Sequence, residues 1–170
     1  LSRGLGDVYK RQVKKLREMT NVGMMDCKKA LSETDGDMDK AVEWLREKGL
    51  AKAAKKAGRI AAEGMAYATV CEKCGVGAMV EVNCETDFCA KSDLFVAFVK
   101  DIAKVIAEQD PADVDALMNC KYVGSDLTVS ETMPEKVMSI GENLQIRRFV
   151  RFSENTSVGY VHAGGKIGVL

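Results

Sequence analysis

The sequence lacks most of the local motifs by which enzyme active sites are recognised. It has no Gly-rich phosphate loop, no nucleophile elbow between a strand and a helix, and no metalloprotease or dinucleotide fingerprint. Its single histidine, His162, has no cysteine or serine beside it in a recognisable partner motif. Paired carboxylates fall only on predicted helix surfaces and turns. These absences argue against an enzyme.

The sequence also lacks an excess charge and a long apolar run. Lys+Arg and Asp+Glu both number 25, so no overall basic field favours direct binding to nucleic acid or to an anionic membrane. No apolar run approaches the roughly 18 residues that suggest a membrane span. With 46% hydrophobic and 29% charged residues, the 170-residue chain is typical of a globular protein with one ordinary domain or a small and a medium one. A homo-oligomer is compatible with this composition.

The six cysteines do not form the pattern of a secreted disulfide framework. They lie scattered in periodic apolar segments, which favours small buried residues in a reducing cytoplasm. Cys71 and Cys74 resemble half of a zinc knuckle, but Cys84 and Cys89 are not a second closely spaced pair. A zinc- or thiol-dependent protein that uses these cysteines is therefore one alternative, although the sequence by itself indicates no metal site and no cofactor.

The two ends of the chain stand apart from the rest. Residues 1–12 lack both a signal-peptide apolar core and strong periodicity, and we interpret them as non-native or as an extension. At the other end, residues 153–170 predict a hairpin across Gly164 and Gly165. We interpret this segment as the start of a second core subdomain that is truncated after Leu170.

Residues 13–50 predict a compact module of three short helices. Val13, Leu16 and Met19 are assigned to one face of the first helix, and Met24, Cys27 and Leu31 mark the second. Asp37 is a candidate N-cap of the third helix, and Gly49 a candidate C-cap. Met24 and Met25 follow a turn and cannot both be buried by one helix face. They are thus a candidate contact edge, or else one is core and the other simply exposed.

Residues 51–64 and 65–152 predict a linker and a larger core. The linker is rich in Ala and Lys and has little to bury, so its basic side chains are interpreted as a solvated helical face. In the core, a β-hairpin is followed by an amphipathic helix over residues 92–108. Pro134 predicts the first turn of a later helix. Leu144 to Phe152 alternate as a strand, with Arg148 out of pattern.

The connection between the hairpin and the amphipathic helix carries Thr86, Asp87, Phe88 and Cys89. A bulky aromatic on such a connection is often functional, because connections positioned by a rigid frame commonly bind ligands. The alternative is that Phe88 folds back over the helix start and that Asp87 caps the helix. The residues themselves leave both interpretations open.

Four motifs, in order, resemble the elongation factor Ts family of bacteria. They are residues 13–31 (VKKLREMTNVGMMDCKKAL), 52–58 (KAAKKAG), 81–91 (EVNCETDFCAK) and 140–148 (IGENLQIRR). The sequence departs from the family at residues 1–12, at the CxxC hairpin tip, and at Cys89, where the family commonly has valine.

This resemblance implies a guanine-nucleotide exchange factor that acts by binding. Its partner would be GDP-bound elongation factor Tu, from which it promotes GDP release by displacing magnesium during translation elongation in the cytoplasm. The implied fold is α+β: a three-helix module similar to ubiquitin-associated domains, a helical linker, and a core of antiparallel sheet with packed helices.

The resemblance also implies which residues bind the partner. Thr86, Asp87, Phe88 and Cys89 match the loop that displaces magnesium. Arg17, Met24 and Met25 match the contact surface of the N-terminal module, and His162 lies in a core segment that also faces the partner. A second alternative remains, in which the helical module is a binding adaptor for ubiquitin-like or peptide partners.

Overall fold

A computed structural model describes residues 2–73, 75–154 and 156–170. The chain divides into two compact units. One contains residues 2–55 and 134–141, and the other contains residues 56–133 and 142–170 apart from the two positions not described. Among the helices of the described residues, none combines the length and apolar character that crossing a bilayer requires. The boundaries predicted for the linker and for a second core subdomain stay a prediction.

The first unit is built from three helices: α1 (Ser2–Thr20), α2 (Met24–Glu33) and α3 (Met38–Lys56). Asp37 caps α3, since its Oδ1 accepts hydrogen bonds from the backbone N–H groups of Asp39 and Lys40 at 3.1 Å. The predicted three-helix arrangement is confirmed. Its buried core consists of Val13, Leu16, Val22, Cys27, Ala30, Leu31, Ala41, Leu45 and Met138.

Three details of the helical prediction are wrong, and the first is that α1 begins at Ser2 and not near residue 13. Met19 is exposed, because six residues turn a helix by about 600° and leave Met19 on a different side from Val13. Gly49 does not end α3 but is buried within it. A Cβ there would lie 3.3 Å from the carbonyl oxygen of Pro134, so this glycine permits a close helix approach instead of a cap.

The second unit contains an antiparallel three-stranded sheet in the order β1-β2-β3, formed by β1 (Glu63–Val70), β2 (Gly77–Cys84) and β3 (Gln145–Phe152). Helix α5 (Asp93–Gln109) packs on one face of this sheet, where Val80 and Val82 are buried. The hairpin of β4 (Tyr160–His162) and β5 (Ile167–Val169) packs along β1. The predicted α+β fold class is therefore confirmed, as are the first hairpin, the amphipathic helix and the terminal hairpin.

The helix that contains Pro134 begins earlier than predicted. Helix α7 spans Val129–Ile140, and Pro134 lies in its middle. The helix starts with a capping box, in which Thr128 Oγ1 accepts the N–H of Glu131 at 3.3 Å and Glu131 Oε2 accepts the N–H of Thr128 at 2.8 Å. The short α6 (Val114–Met118) precedes it.

A β-bulge in β3 changes which side chains face the core. Ile146 pairs with Val82 and Arg148 pairs with Glu81, so Arg147 is an extra residue. The predicted alternation holds through Ile146 and then reverses, which leaves Val150 and Phe152 exposed. Arg148 is accommodated because its Nε donates to Glu81 Oε2 at 2.6 Å.

Candidate functional site

The candidate loop connects β2 to two helices whose first turns are both capped by side chains. Thr86 is the N-cap of the short α4 (Asp87–Ala90), and its Oγ1 accepts the N–H of Cys89 at 3.2 Å. Ser92 caps α5 in the same way, with its Oγ accepting the N–H of Phe95 at 3.3 Å. The backbone of Thr86–Cys89 is thus fixed by local hydrogen bonds on both sides of Phe88.

Glu142 provides a second anchor from a distant part of the chain. Its Oε2 accepts the backbone N–H groups of Glu85 and Thr86 at 2.9 and 3.0 Å, and its Oε1 accepts the hydroxyl of Thr86 at 2.6 Å. Glu85 in turn accepts the N–H of Asn143 at 2.7 Å. The loop and the segment after α7 therefore hold each other through reciprocal, charge-assisted hydrogen bonds.

These hydrogen bonds decide the ionisation of Glu142. Burial raises its pKa, but the hydrogen bonds from Thr86, Cys89 and Glu85 outweigh burial, so the pKa lies below its ordinary value of 4.5. The carboxylate is consequently ionised at neutral pH and accepts all of these donors. Glu142 lies inside a motif of the sequence, directly after Gly141 ends α7, yet its role was missed because the loop it holds is more than fifty residues away.

Phe88 points into solvent, with 83% of its surface exposed. The interpretation that it folds back over the helix start is therefore wrong. Asp87 beside it is partly exposed and pairs with Lys91 at 2.8 Å, and this hydrogen bond lowers the pKa of Asp87. Thr86 and Cys89 have a different role, since Thr86 caps α4 by accepting the N–H of Cys89, and Cys89 is buried. The capped, anchored loop presents one aromatic ring and one carboxylate outward.

Replacing Glu142 with glutamine is expected to cost about 1–2 kcal/mol in the free energy of unfolding at pH 7, because hydrogen bonds to a charged group are replaced by weaker ones. The depressed pKa of Glu142 means that its stabilisation is complete above pH 4.5 and is lost as the pH falls through the folded-state pKa. The difference between the parent and Glu142→Gln, measured by urea unfolding from pH 7 to pH 3, should therefore shrink below pH 4.5. Glu154 is exposed, so Glu154→Gln serves as the control. The prediction would be contradicted if the difference in the free energy of unfolding between the parent and Glu142→Gln did not change with pH.

The residues predicted for the N-terminal module lie on its surface. Arg17 and Met24 line the same shallow groove, together with Tyr9 and Lys28. Met25 is 74% exposed and stands outside that groove. Both methionines are therefore exposed, and the alternative that one of them belongs to the core is wrong.

His162 lies on β4 and is exposed. Its Nδ1 is 2.9 Å from the hydroxyl of Tyr160 on the same strand. Lys166 in the same hairpin adds a charge that helps to lower the pKa of Asp87, so this hairpin lies near the candidate loop within the second unit.

The cysteines do not form the four-residue site that was one alternative. Cys71 follows the end of β1 that pairs with Gly77, whereas Cys84 pairs with Glu63 at the other end of the same hairpin. At about 3.3 Å per residue, the two thiols are separated by roughly the length of the strand, about 20 Å, and cannot bind one ion. Cys74 lies outside the described residues.

Comparison with known proteins gives the family. The family model described as "Elongation factor TS" matches residues 85–170, which is half of the chain. The chain belongs to the elongation factor Ts family. The matched region begins within the candidate loop and includes both Phe88 and Glu142.

Full-length relatives agree with this membership. The chain is 53% identical over 166 residues to elongation factor Ts of Clostridium novyi, 55% over 160 residues to that of Alkalilimnicola ehrlichii, and 52% over 162 residues to that of Trichlorobacter lovleyi. These matches cover 96%, 93% and 94% of the chain but 54%, 54% and 52% of the relatives. The chain thus spans about half the length of the curated relatives it matches.

Proposed function

We propose that this chain belongs to a guanine-nucleotide exchange factor that binds GDP-bound elongation factor Tu and promotes GDP release. The observation that carries the proposal is the exposure of Phe88 on a loop whose backbone is held by Thr86, Cys89 and Glu142. This loop lies in the segment where the sequence resembles the family's magnesium-displacing motif. A large apolar side chain held in water by a rigid frame is available to bind a partner.

Exchange by this route requires binding energy and no acid–base chemistry. A GTPase holds GDP largely through phosphate contacts and a magnesium ion. A factor that binds the nucleotide-free form more tightly than the GDP-bound form weakens GDP by the same factor, because coupling between two binding sites is reciprocal. The absence of catalytic motifs from the sequence is therefore compatible with the activity.

The size of Phe88 is sufficient for a substantial effect. Weakening GDP a hundredfold requires about 2.7 kcal/mol of differential binding. Full burial of a phenylalanine side chain contributes roughly 1.5–3 kcal/mol. If the ring is buried only in the complex that has lost magnesium, Phe88 by itself supplies most of that energy. Asp87 would act beside it through its charge, since its lowered pKa keeps it ionised.

Two further surfaces are proposed to contact the partner. Arg17, Met24 and Met25 supply a cationic and apolar surface on the helical unit, and adaptable methionine side chains suit such contacts. His162 supplies an exposed imidazole in the hairpin near the loop. These surfaces would give affinity, whereas Phe88 would give the exchange activity.

Release of a fluorescent GDP analogue from elongation factor Tu tests the proposal. The protein expressed from its gene, added in amounts well below those of the GTPase, should accelerate release, and excess unlabelled GDP prevents rebinding. A binding adaptor would form a complex without changing the release rate. Binding without acceleration would therefore contradict the exchange-factor proposal and favour the adaptor.

A further inference from the structure

Two thiols and a carboxylate meet beneath the candidate loop. The Sγ atoms of Cys84 and Cys89 and a carboxylate oxygen of Glu142 all lie within 4.8 Å of one another. Cys84 is completely buried and Cys89 is 7% exposed, while Glu142 is only partly buried. Cys84 ends β2 and Cys89 lies in α4, so the capped turn between them brings the thiols together.

The three groups already interact as hydrogen-bond partners. Cys84 Sγ donates to the carbonyl oxygen of Thr86 at 3.3 Å, and the side chain of Cys89 bonds to both Cys84 and Glu142. A free thiol is ordinarily neutral at pH 7, so without a cation the cluster consists of two neutral thiols and one carboxylate, with a net charge of −1.

We propose that Cys84, Cys89 and Glu142 form a binding site for a thiophilic divalent cation such as Zn²⁺. Two thiolates and one carboxylate are a donor set that zinc accepts in proteins. Zinc–sulfur bonds of about 2.3 Å place tetrahedral sulfur ligands about 3.8 Å apart, so the cluster must contract by at most about 1 Å. The partly exposed side of Glu142 leaves a fourth position for water.

The exchange of protons for a cation balances in charge. When the cation binds, each Sγ forms a bond to it and loses its proton to solvent, so two protons leave and two positive charges arrive. The net charge of the site stays at −1, and the buried cluster acquires no additional net charge. No oxidant or reductant is required.

The site does not rest on the proposed exchange activity, although Cys89 and Glu142 also hold the loop that carries Phe88. By the resemblance described above, Cys89 stands where the family commonly has valine. Cys89 immediately follows Phe88, and Glu142 also holds Thr86. A bound cation would therefore tie α4 to the end of β2 more firmly than hydrogen bonds do.

Titration of the metal-free, chemically reduced protein with Co²⁺ tests the proposal. Cobalt reports thiolate ligation through near-ultraviolet charge-transfer absorption. We expect this absorption to saturate at one Co²⁺ per chain and to disappear when Zn²⁺ displaces the cobalt. Cys89→Val should weaken binding by at least about 100-fold, and circular dichroism would verify that the apolar replacement leaves the protein folded.

Two control variants separate this cluster from the other cysteines. Cys120→Ser, and Cys71→Ser combined with Cys74→Ser, should both retain the absorption. The proposal is overturned if reduced protein shows no charge-transfer absorption, if Cys89→Val keeps it, or if it is lost when Cys71 and Cys74 are replaced. The readout does not involve elongation factor Tu, so failure of the metal site and failure of the exchange activity are distinguishable.

Discussion

Replacing Phe88 with alanine is expected to slow protein-stimulated GDP release from elongation factor Tu by about tenfold to a hundredfold. The substitution removes most of an aromatic side chain whose burial in the complex contributes roughly 1.5–3 kcal/mol. Because Phe88 is 83% exposed in the free protein, its loss leaves no cavity and should change the free energy of unfolding by less than about 0.5 kcal/mol. The measurement is the release rate of a fluorescent GDP analogue, with urea unfolding in parallel.

Ile60→Ala is a matched control for this experiment. Ile60 is 84% exposed and also belongs to the second unit, so the variant removes a comparable apolar side chain from water without touching the loop. Release rates with Ile60→Ala should equal those of the parent. If Phe88→Ala retains the parent rate, the ring does not promote GDP release. If the variant unfolds the protein, the ring has a structural role.

In contrast to Phe88→Ala, replacing Phe98 with alanine should destabilise the protein, with a loss of about 3–5 kcal/mol in the free energy of unfolding of the second unit. Phe98 is buried in α5, and its ring stacks on Tyr122 with the centroids 6.5 Å apart. Truncation would remove both the transfer free energy of the ring and its contacts, and it would leave a cavity beside Tyr122. Urea unfolding followed by far-ultraviolet circular dichroism measures the change.

Phe88→Ala is the natural comparison for Phe98→Ala, because the same atoms are deleted ten residues apart. Equal destabilisation by the two variants would mean that the difference in burial between the two rings does not determine how much each contributes to the free energy of unfolding. A loss below about 1 kcal/mol for Phe98→Ala would show that the sheet collapses onto α5 and fills the space. Phe88→Ala should therefore affect GDP release without affecting stability, whereas Phe98→Ala should lower stability.

The sequence predicted those elements whose side-chain period is long and unbroken. The apolar residues of α5 follow the helical period over its full length, and the helix was predicted over residues 92–108 and is observed at Asp93–Gln109. The first hairpin was predicted because the alternation of its strands and a Gly-containing turn agree. The three helices of the first unit were predicted for the same reason, although Gly49 was misread as a stop.

The features that the sequence did not predict depend on contacts between distant residues or on sequence signals that favour different helix starts. Pro134 predicts a helix start because proline favours the first turn, but the Thr128–Glu131 capping box, which begins six residues earlier, determines the start. The bulge at Arg147 could not be read from β3, because it depends on how Glu81 pairs across the sheet. Phe88 and Cys89 were found as candidates, but Glu142, which holds their loop, was not.

The bulge in β3 also bears on whether strands of other molecules can add to the edge of the sheet. β3 is an edge of the three-stranded sheet, and an edge strand offers unpaired backbone groups to which a strand of another molecule can add. The extra residue Arg147 interrupts the regular spacing of those groups, and the arginines at positions 147 and 148 place positive charge along the strand. A second copy would have to bring its own arginines against them and accommodate the kink. The irregularity in β3 therefore protects the sheet from intermolecular strand addition and from the aggregation that follows it.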